Sequence, residues 1–315
     1  MGGTEVGAWR PRGIRWADGR PALAWVRTGP SDASAVSDAE PAPSPLERGG
    51  RLAFAVGADR LCGGVWRGGR RIACALRAEL PAKVLGGMCP DCQAMDRSSS
   101  IAADTRVDDP RPFMVYLAYH GAGTVKVGIT AAERGNARLW EQGALASVAL
   151  AEGPLMAARR TEHLLGTALG LPDRVATRVK RLARFAPGTA EQRLAALREV
   201  RDLTVDLPGW PDSLARRFEE PLDHAAAYGL PDAGIRPDAE LAPLVPGSVI
   251  AGRLACVIGS DLYLAVGAGS ARLVLVDSRL LAGWALQPAT GEAEFAAATA
   301  VPVLPRETAE PDALF

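Results

Sequence analysis

At 315 residues the chain is long enough for two or three domains. Lys plus Arg and Asp plus Glu number 36 each, so the formal net charge is zero and bulk charge singles out no class of partner. No run is long and apolar enough to span a membrane, and the N-terminus carries no signal-peptide core. Five cysteines without a secretory segment fit a reducing cytoplasm better than a disulfide framework.

Taken in order, residues 8–29 hold short Trp- and Ile-containing runs broken by Arg-Pro-Arg-Gly and Asp-Gly-Arg-Pro, a turn-rich β segment. Residues 30–49 have several prolines and no periodicity and read as a loop or disordered insert. A strand over 51–56 leads into four cysteines. Cys89 and Cys92 stand in Gly87-Met88-Cys89-Pro90-Asp91-Cys92, whose short spacer lets both sulfurs bind one ion. Cys62 and Cys74 lie upstream at a distance that two strands and a turn cover. Two pairs of thiolates point to structural zinc, because four sulfurs leave no open position for water. The usual zinc ribbon pairs two CxxC knuckles, and here the first is opened to eleven residues. The alternative is four buried thiols without metal, for which the surrounding Gly and Arg make a poor apolar setting.

Residues 96–112 are polar and mark a boundary. Beyond it, 113–118 and 124–130 read as a β-hairpin, 131–142 as a helix with Leu139 inward, 147–151 as a third strand and 155–169 as a second helix. The order is β-β-α-β-α. Thr189 is a candidate N-cap for an amphipathic helix over 190–203. Residues 208–247 are Pro-rich and loop-like. Runs at 248–254, 255–258, 262–266, 272–276 and 280–285 suggest a small antiparallel barrel or sheet of five strands, with Cys256 a core residue and a further candidate strand at 300–304. The fold class expected is therefore α+β: a β-rich four-cysteine zinc module over 1–95, an α+β domain over 110–205, and a small β domain over 245–305 after an acidic Pro-rich linker.

Val115-Tyr116 in the first central strand, Lys126-Val127-Gly128-Ile129-Thr130 in the second, Arg138 on the first helix and Glu162 on the next together resemble the GIY-YIG nuclease domain over about 113–170. The four-cysteine module, this core and the string Arg138-Leu139-Trp140-Glu141-Gln142-Gly143-Ala144 more narrowly resemble a bacterial family, domain of unknown function 2797. The superfamily resemblance implies a role for each matching position. Tyr116 helps activate water, Gly128 lets the backbone approach the site, Arg138 stabilises phosphate charge, and Glu162 holds one divalent cation such as magnesium or manganese. Lys126 departs from the pattern, standing where the second tyrosine of the motif falls. A lysine contacts phosphate as a point charge but brings no aromatic hydroxyl. Taken singly, Tyr116 also reads as a core residue and Glu162 as a solvated helix face; it is their joint order that points to a polar site.

Arg134, Arg159, Arg174, Arg178 and Arg181 crowd the central region, the last three on one helical face, which suits a nucleic-acid backbone. The competing reading is a solvated face balanced by the acidic stretch 202–240. Two function classes follow. One is a zinc-stabilised nucleic-acid-binding protein with a metal-dependent phosphodiester-cleaving site. The other is a non-catalytic binding protein, or a scaffold for a protein partner, that keeps only the fold.

Overall fold

The computed structural model describes residues 8–28, 42–67, 70–97, 109–121, 123–217, 219–267, 272–289 and 300–302. Much of the insert expected at 30–49, most of the boundary at 96–112 and nearly all of the loose C-terminal tail lie outside these residues.

Strands β1 (Ala8–Ala17) and β2 (Arg20–Thr28) pair antiparallel around Asp18-Gly19. Both turn residues have positive φ, 48° and 72°, the geometry of a type I′ hairpin. A short β3 (Ser44–Pro45) adds to β2. β4 (Arg51–Arg60) then leaves this sheet, followed by the hairpin β5 (Val65–Arg67) and β6 (Arg70–Ile72) and by helix α1 (Pro90–Arg97).

The β-β-α-β-α order over the central segment is present. β7 (Phe113–Tyr119) and β8 (Val125–Ala131) precede a 3₁₀ turn over Ala132–Arg134, so α2 is confined to Gly135–Glu141. β9 (Ala146–Gly153) returns alongside β7, and α3 spans Leu155–Leu169. α4 (Thr177–Ala183) and α5 (Ala190–Val205) follow. Thr189 caps α5 reciprocally with Gln192, each side chain taking the other residue's backbone N–H. The stretch expected to be loop also holds β10 (Ala215–Arg216) and β11 (Leu222–Asp223), both added to β9, then α6 (Ala225–Tyr228) and β12 (Ala239–Leu241).

The last sheet differs most from expectation. It comprises β13 (Val249–Ile258), β14 (Asp261–Val266), β15 (Arg272–Asp277), β16 (Trp284–Pro288) and β17 (Ala300–Pro302), with β4 and β12 inserted. Its order is β16-β4-β13-β14-β15-β12-β17, and β12 runs parallel to β15. Residues Ser278–Leu281 form helix α7 rather than the start of a strand, because Asp277 accepts the Arg279 N–H as an N-cap.

Sheet pairing and packing therefore cross the expected domain limits. One contiguous core runs from Trp16 through Leu117 and Leu197 to Leu286. Trp16 donates to Gly259 O at 3.1 Å and meets Tyr228 edge-on at 5.2 Å between centroids. Buried Arg60 fastens the cysteine loop to the last sheet, donating to the carbonyls of Pro81, Gly86 and Ala282 at 2.6, 3.0 and 2.9 Å. α4 is bolted on by ions: Arg184 reaches Asp261 at 2.6 Å and Tyr263 at 3.0 Å, and Arg181 reaches Asp261 at 2.5 Å and Asp277 at 2.9 Å. Two arginines against two aspartates leave the buried cluster near neutral, which such burial requires. Among the described residues no helix is long and apolar enough to cross a membrane.

Candidate functional site: a four-cysteine cluster and a cationic strand face

Cys62 lies just past β4, the β5–β6 hairpin carries the chain out and back, and Cys74 follows two residues after β6. This is the two-strand spacer expected from the sequence. Cys89 immediately precedes α1, and Pro90 opens that helix where a missing N–H costs nothing. Cys92 falls three residues on, on the same side. All four sulfurs lie within 4.8 Å of one another, and all four residues are buried. Cys74 Sγ and Cys89 Sγ are 3.8 Å apart. Sulfurs about 2.3 Å from a tetrahedral ion are separated by about 3.8 Å, so the spacing matches a metal cage.

Backbone amides complete it. The Cys89 N–H donates to Cys62 Sγ at 3.2 Å, Gly64 donates to the same sulfur, and Ala78 and Leu76 donate to Cys74. Such donors favour thiolate over thiol. Gly64 is required for this path: its φ is +79°, and a Cβ there would lie 2.2 Å from Ile72 O. Burial pushes the Cys62 thiol up to about 11 and raises Cys92 further, whereas in Cys74 burial is outweighed by the Ala78 and Leu76 amides together with the Cys62 and Cys89 sulfurs, which lower it. The cluster is disposed to hold one metal ion with no open position.

The second site is built on the hairpin β7–β8. Tyr116 stands opposite Gly128, and Ala118 opposite Lys126. Alternate residues of a strand share a face, so these four lie together, under Leu139 of α2 and Ala144. The tyrosine ring crosses Gly128 closely: a Cβ there would lie 2.6 Å from Tyr116 Oη. Tyr116 is only 1 % exposed, and its hydroxyl accepts from Gln142 Nε2 at 2.8 Å. Lys126, 7 % exposed, donates from Nζ to Asp173 O at 3.2 Å and sits 5.6 Å from the Tyr116 ring centroid. Lys180 reaches in from α4 to Gln142 O at 2.9 Å. Glu162 on α3 is half-buried and accepts the Ile129 N–H, closing the free edge of β8. Arg138 is partly exposed, 3.6 Å from Glu141, which also pairs with Arg134.

These groups form one electrostatic unit. Burial raises the Tyr116 hydroxyl, opposed by the Gln142 hydrogen bond and the Arg138 charge. Burial and then Arg138 lower Lys126, which Glu162 partly restores. Lys180 is pushed down to about 8 by burial and by the charges of Lys126, Arg184 and Arg138. Burial raises the Glu162 carboxyl, with Lys126 opposing. Lys126, Lys180 and Arg138 thus act on one another across this face, with Glu162 and Asp173 nearest Lys126 and Glu141 beside Arg138, and their mutual repulsion favours an added anion.

The structure brings Tyr116, Lys126, Arg138 and Glu162 into one neighbourhood, with Arg159 near enough to act on Glu162. It does not bring the other arginines together. Arg174 precedes α4 and is almost wholly exposed beside Asp173, and Arg178 is exposed on the helix. Arg181 turns inward to Asp261 and Asp277, so the single basic face of Arg174, Arg178 and Arg181 does not exist. A surface cation is available to a phosphate; one held by two buried carboxylates is not. Gln142 and Lys180 escaped the sequence reading as site residues. The signal for Gln142 was its place just past the end of α2, where a side chain can reach back along the strand face.

The family model described as Protein of unknown function (DUF2797) matches residues 84–286, more than half of the chain. The matched span takes in the second cysteine pair and the whole cationic site. No curated protein and no solved structure matches the chain.

Proposed function

The chain belongs to the DUF2797 family, and from the chemistry assembled at its two sites we propose that it is a zinc-stabilised nucleic-acid-binding protein whose central domain is GIY-YIG-like. Zinc is the ion that four thiolates in a closed tetrahedral cage suit best, and its role is structural. The observation that carries the rest is the convergence of Lys126, Lys180 and Arg138 on the Tyr116 strand face, close enough for each to act on the others. A phosphodiester is the anion that such a face accepts without taking full charge into the interior.

The second reading is metal-dependent cleavage, in which Glu162 holds magnesium or manganese, Arg138 meets phosphate charge and Tyr116 assists the attacking water. Three observations weigh toward binding without turnover. Tyr116 is buried with its hydroxyl engaged, Glu162 already accepts the Ile129 amide, and Lys126 supplies a cation of its own beside that carboxylate. The test is anisotropy binding to branched and single-stranded DNA and RNA at low salt, with a magnesium- and manganese-dependent cleavage assay on the same panel. Arg138→Ala is expected to weaken binding. A wild-type protein that binds no member of the panel refutes the proposal.

A further inference from the structure

α4 separates two spaces. Lys180 points from it toward Gln142 and the cationic site. On its other side Arg178, Leu182 and Phe185 line a cleft of about 1030 Å³ that β12, β15 and α7 close. That is the upper end of the range, about 300–1,000 Å³, in which small-ligand sites fall. Its apolar lining includes Leu182, Phe185, Leu241 and Leu280.

The acids of the cleft are engaged within the protein. Asp277 pairs with Arg181 at 2.9 Å and Arg279 at 2.7 Å, Glu240 lies 3.6 Å from Arg181, and Asp238 accepts the Leu273 N–H at 2.7 Å. Two cations are not so engaged. Arg236 lies over the Phe185 ring, 4.8 Å from its centroid, and makes no ion pair among the described residues; nor does exposed Arg178. The ligand that matches has a flat, weakly polar body and a negative charge within one residue's reach of it. A nucleotide has both.

Building on the nucleic-acid reading, we propose that this cleft receives an unpaired nucleotide of the strand whose backbone lies at the Lys126–Lys180–Arg138 site. The strand passes over the exposed side of α4, its phosphate meets Arg178, and the base enters against Leu182 and the Phe185–Arg236 stack. Only an unpaired base can do this, because a duplex keeps its base faces stacked inside. The protein therefore prefers single-stranded or flapped nucleic acid over blunt duplex.

The experiment compares anisotropy binding of a labelled single strand with that of its blunt duplex, for wild type, Phe185→Leu/Arg236→Ala, Arg178→Glu and Arg138→Ala, with thermal melts of each. Losing one base stack is expected to weaken single-strand binding about tenfold and leave duplex binding unchanged. If the double variant proves unstable, Arg178→Glu, on an exposed position, is read instead: it should weaken both probes, and the single strand more than the duplex, because only the single strand brings a phosphate against that position. An iodouridine-substituted strand should crosslink to the peptide containing Phe185. Equal affinity for single strand and duplex, or cleft variants that bind as wild type while Arg138→Ala binds weakly, overturns the cleft assignment and leaves the proposed function standing. If wild type binds neither probe, both fall.

Discussion

Gly128→Ala tests whether Tyr116 is held where a site would need it. The new Cβ would lie 2.6 Å from Tyr116 Oη, 2.7 Å from Cζ and 3.1 Å from Cε2, all inside normal contact. Tyr116 is 1 % exposed under α2, so the ring has little room to retreat. Overpacking of this kind costs about 1–3 kcal/mol, and pulling the hydroxyl from Gln142 adds about 0.5–1.5 kcal/mol. A loss of about 2–4 kcal/mol is expected, read as a lower urea midpoint at unchanged slope. The control is a double-mutant cycle. In a Tyr116→Ala background the clash has no partner, so Gly128→Ala should lose most of its cost, a coupling of at least about 1 kcal/mol. Tyr116→Phe should relieve it little, since Cζ remains. Because Gln142 links Tyr116 to Lys180, nucleic-acid affinity should fall with stability. A Gly128→Ala protein within about 0.5 kcal/mol of wild type, or an equal cost in both backgrounds, would refute this geometry.

Purified protein is expected to carry one zinc per chain by elemental analysis, and Cys89→Ser should lower metal content and melting temperature together, since the binding energy of such a site is also folding energy. Arg181→Glu should destabilise by about 3–5 kcal/mol in denaturant melts, because it sets a third carboxylate against Asp261 and Asp277 with Arg184 and Arg279 left to balance them, rather than change the salt slope of binding as a surface cation would. Lys180 carries its charge below about pH 8 and loses it above, so affinity should fall between pH 7 and 9 in wild type and hold in Lys180→Arg; a flat wild-type profile counts against Lys180 as a phosphate contact. If any substrate is cleaved, Glu162→Ala should abolish cleavage and spare binding, and an inert wild type that gains activity as Lys126→Tyr marks a binding relative of a nuclease.

Local chemistry made part of this legible. Period-two runs placed β7 and β8, a two-strand spacer placed Cys62 and Cys74, and Thr189 marked the start of α5. Long-range pairing was not legible. β4 is separated by about two hundred positions from β13, which it pairs from Val249–Ala55 to Arg253–Arg51, and nothing in the residues 51–60 names that partner. Arg181 failed for a related reason. Helical spacing put it on a face with Arg178, but the acids that claim it arrive from β14 and β15.

The string from Arg138 to Ala144 shows how a local signature can carry non-local meaning. Leu139 and Ala144 cover the Tyr116 face, Trp140 donates to His224 Nδ1 at 3.1 Å, Glu141 gathers Arg134 and Arg138, and Gln142 holds the Tyr116 hydroxyl with its side chain and Lys180 with its carbonyl. Between them these residues reach β7, α4, the turn before α2 and the residue that opens α6, so the string acts as a junction rather than a motif with one task. This bears on the departure at Lys126. An aromatic ring there would lie beside Tyr116 and Asp173, where the lysine now spends its charge on a backbone carbonyl. On the function proposed here, the junction frames a phosphate-binding face on which a fixed cation stands where the nuclease pattern has a hydroxyl. That exchange strengthens ground-state attraction to a phosphate and removes a group that acts on water, which is the physical case for binding over turnover.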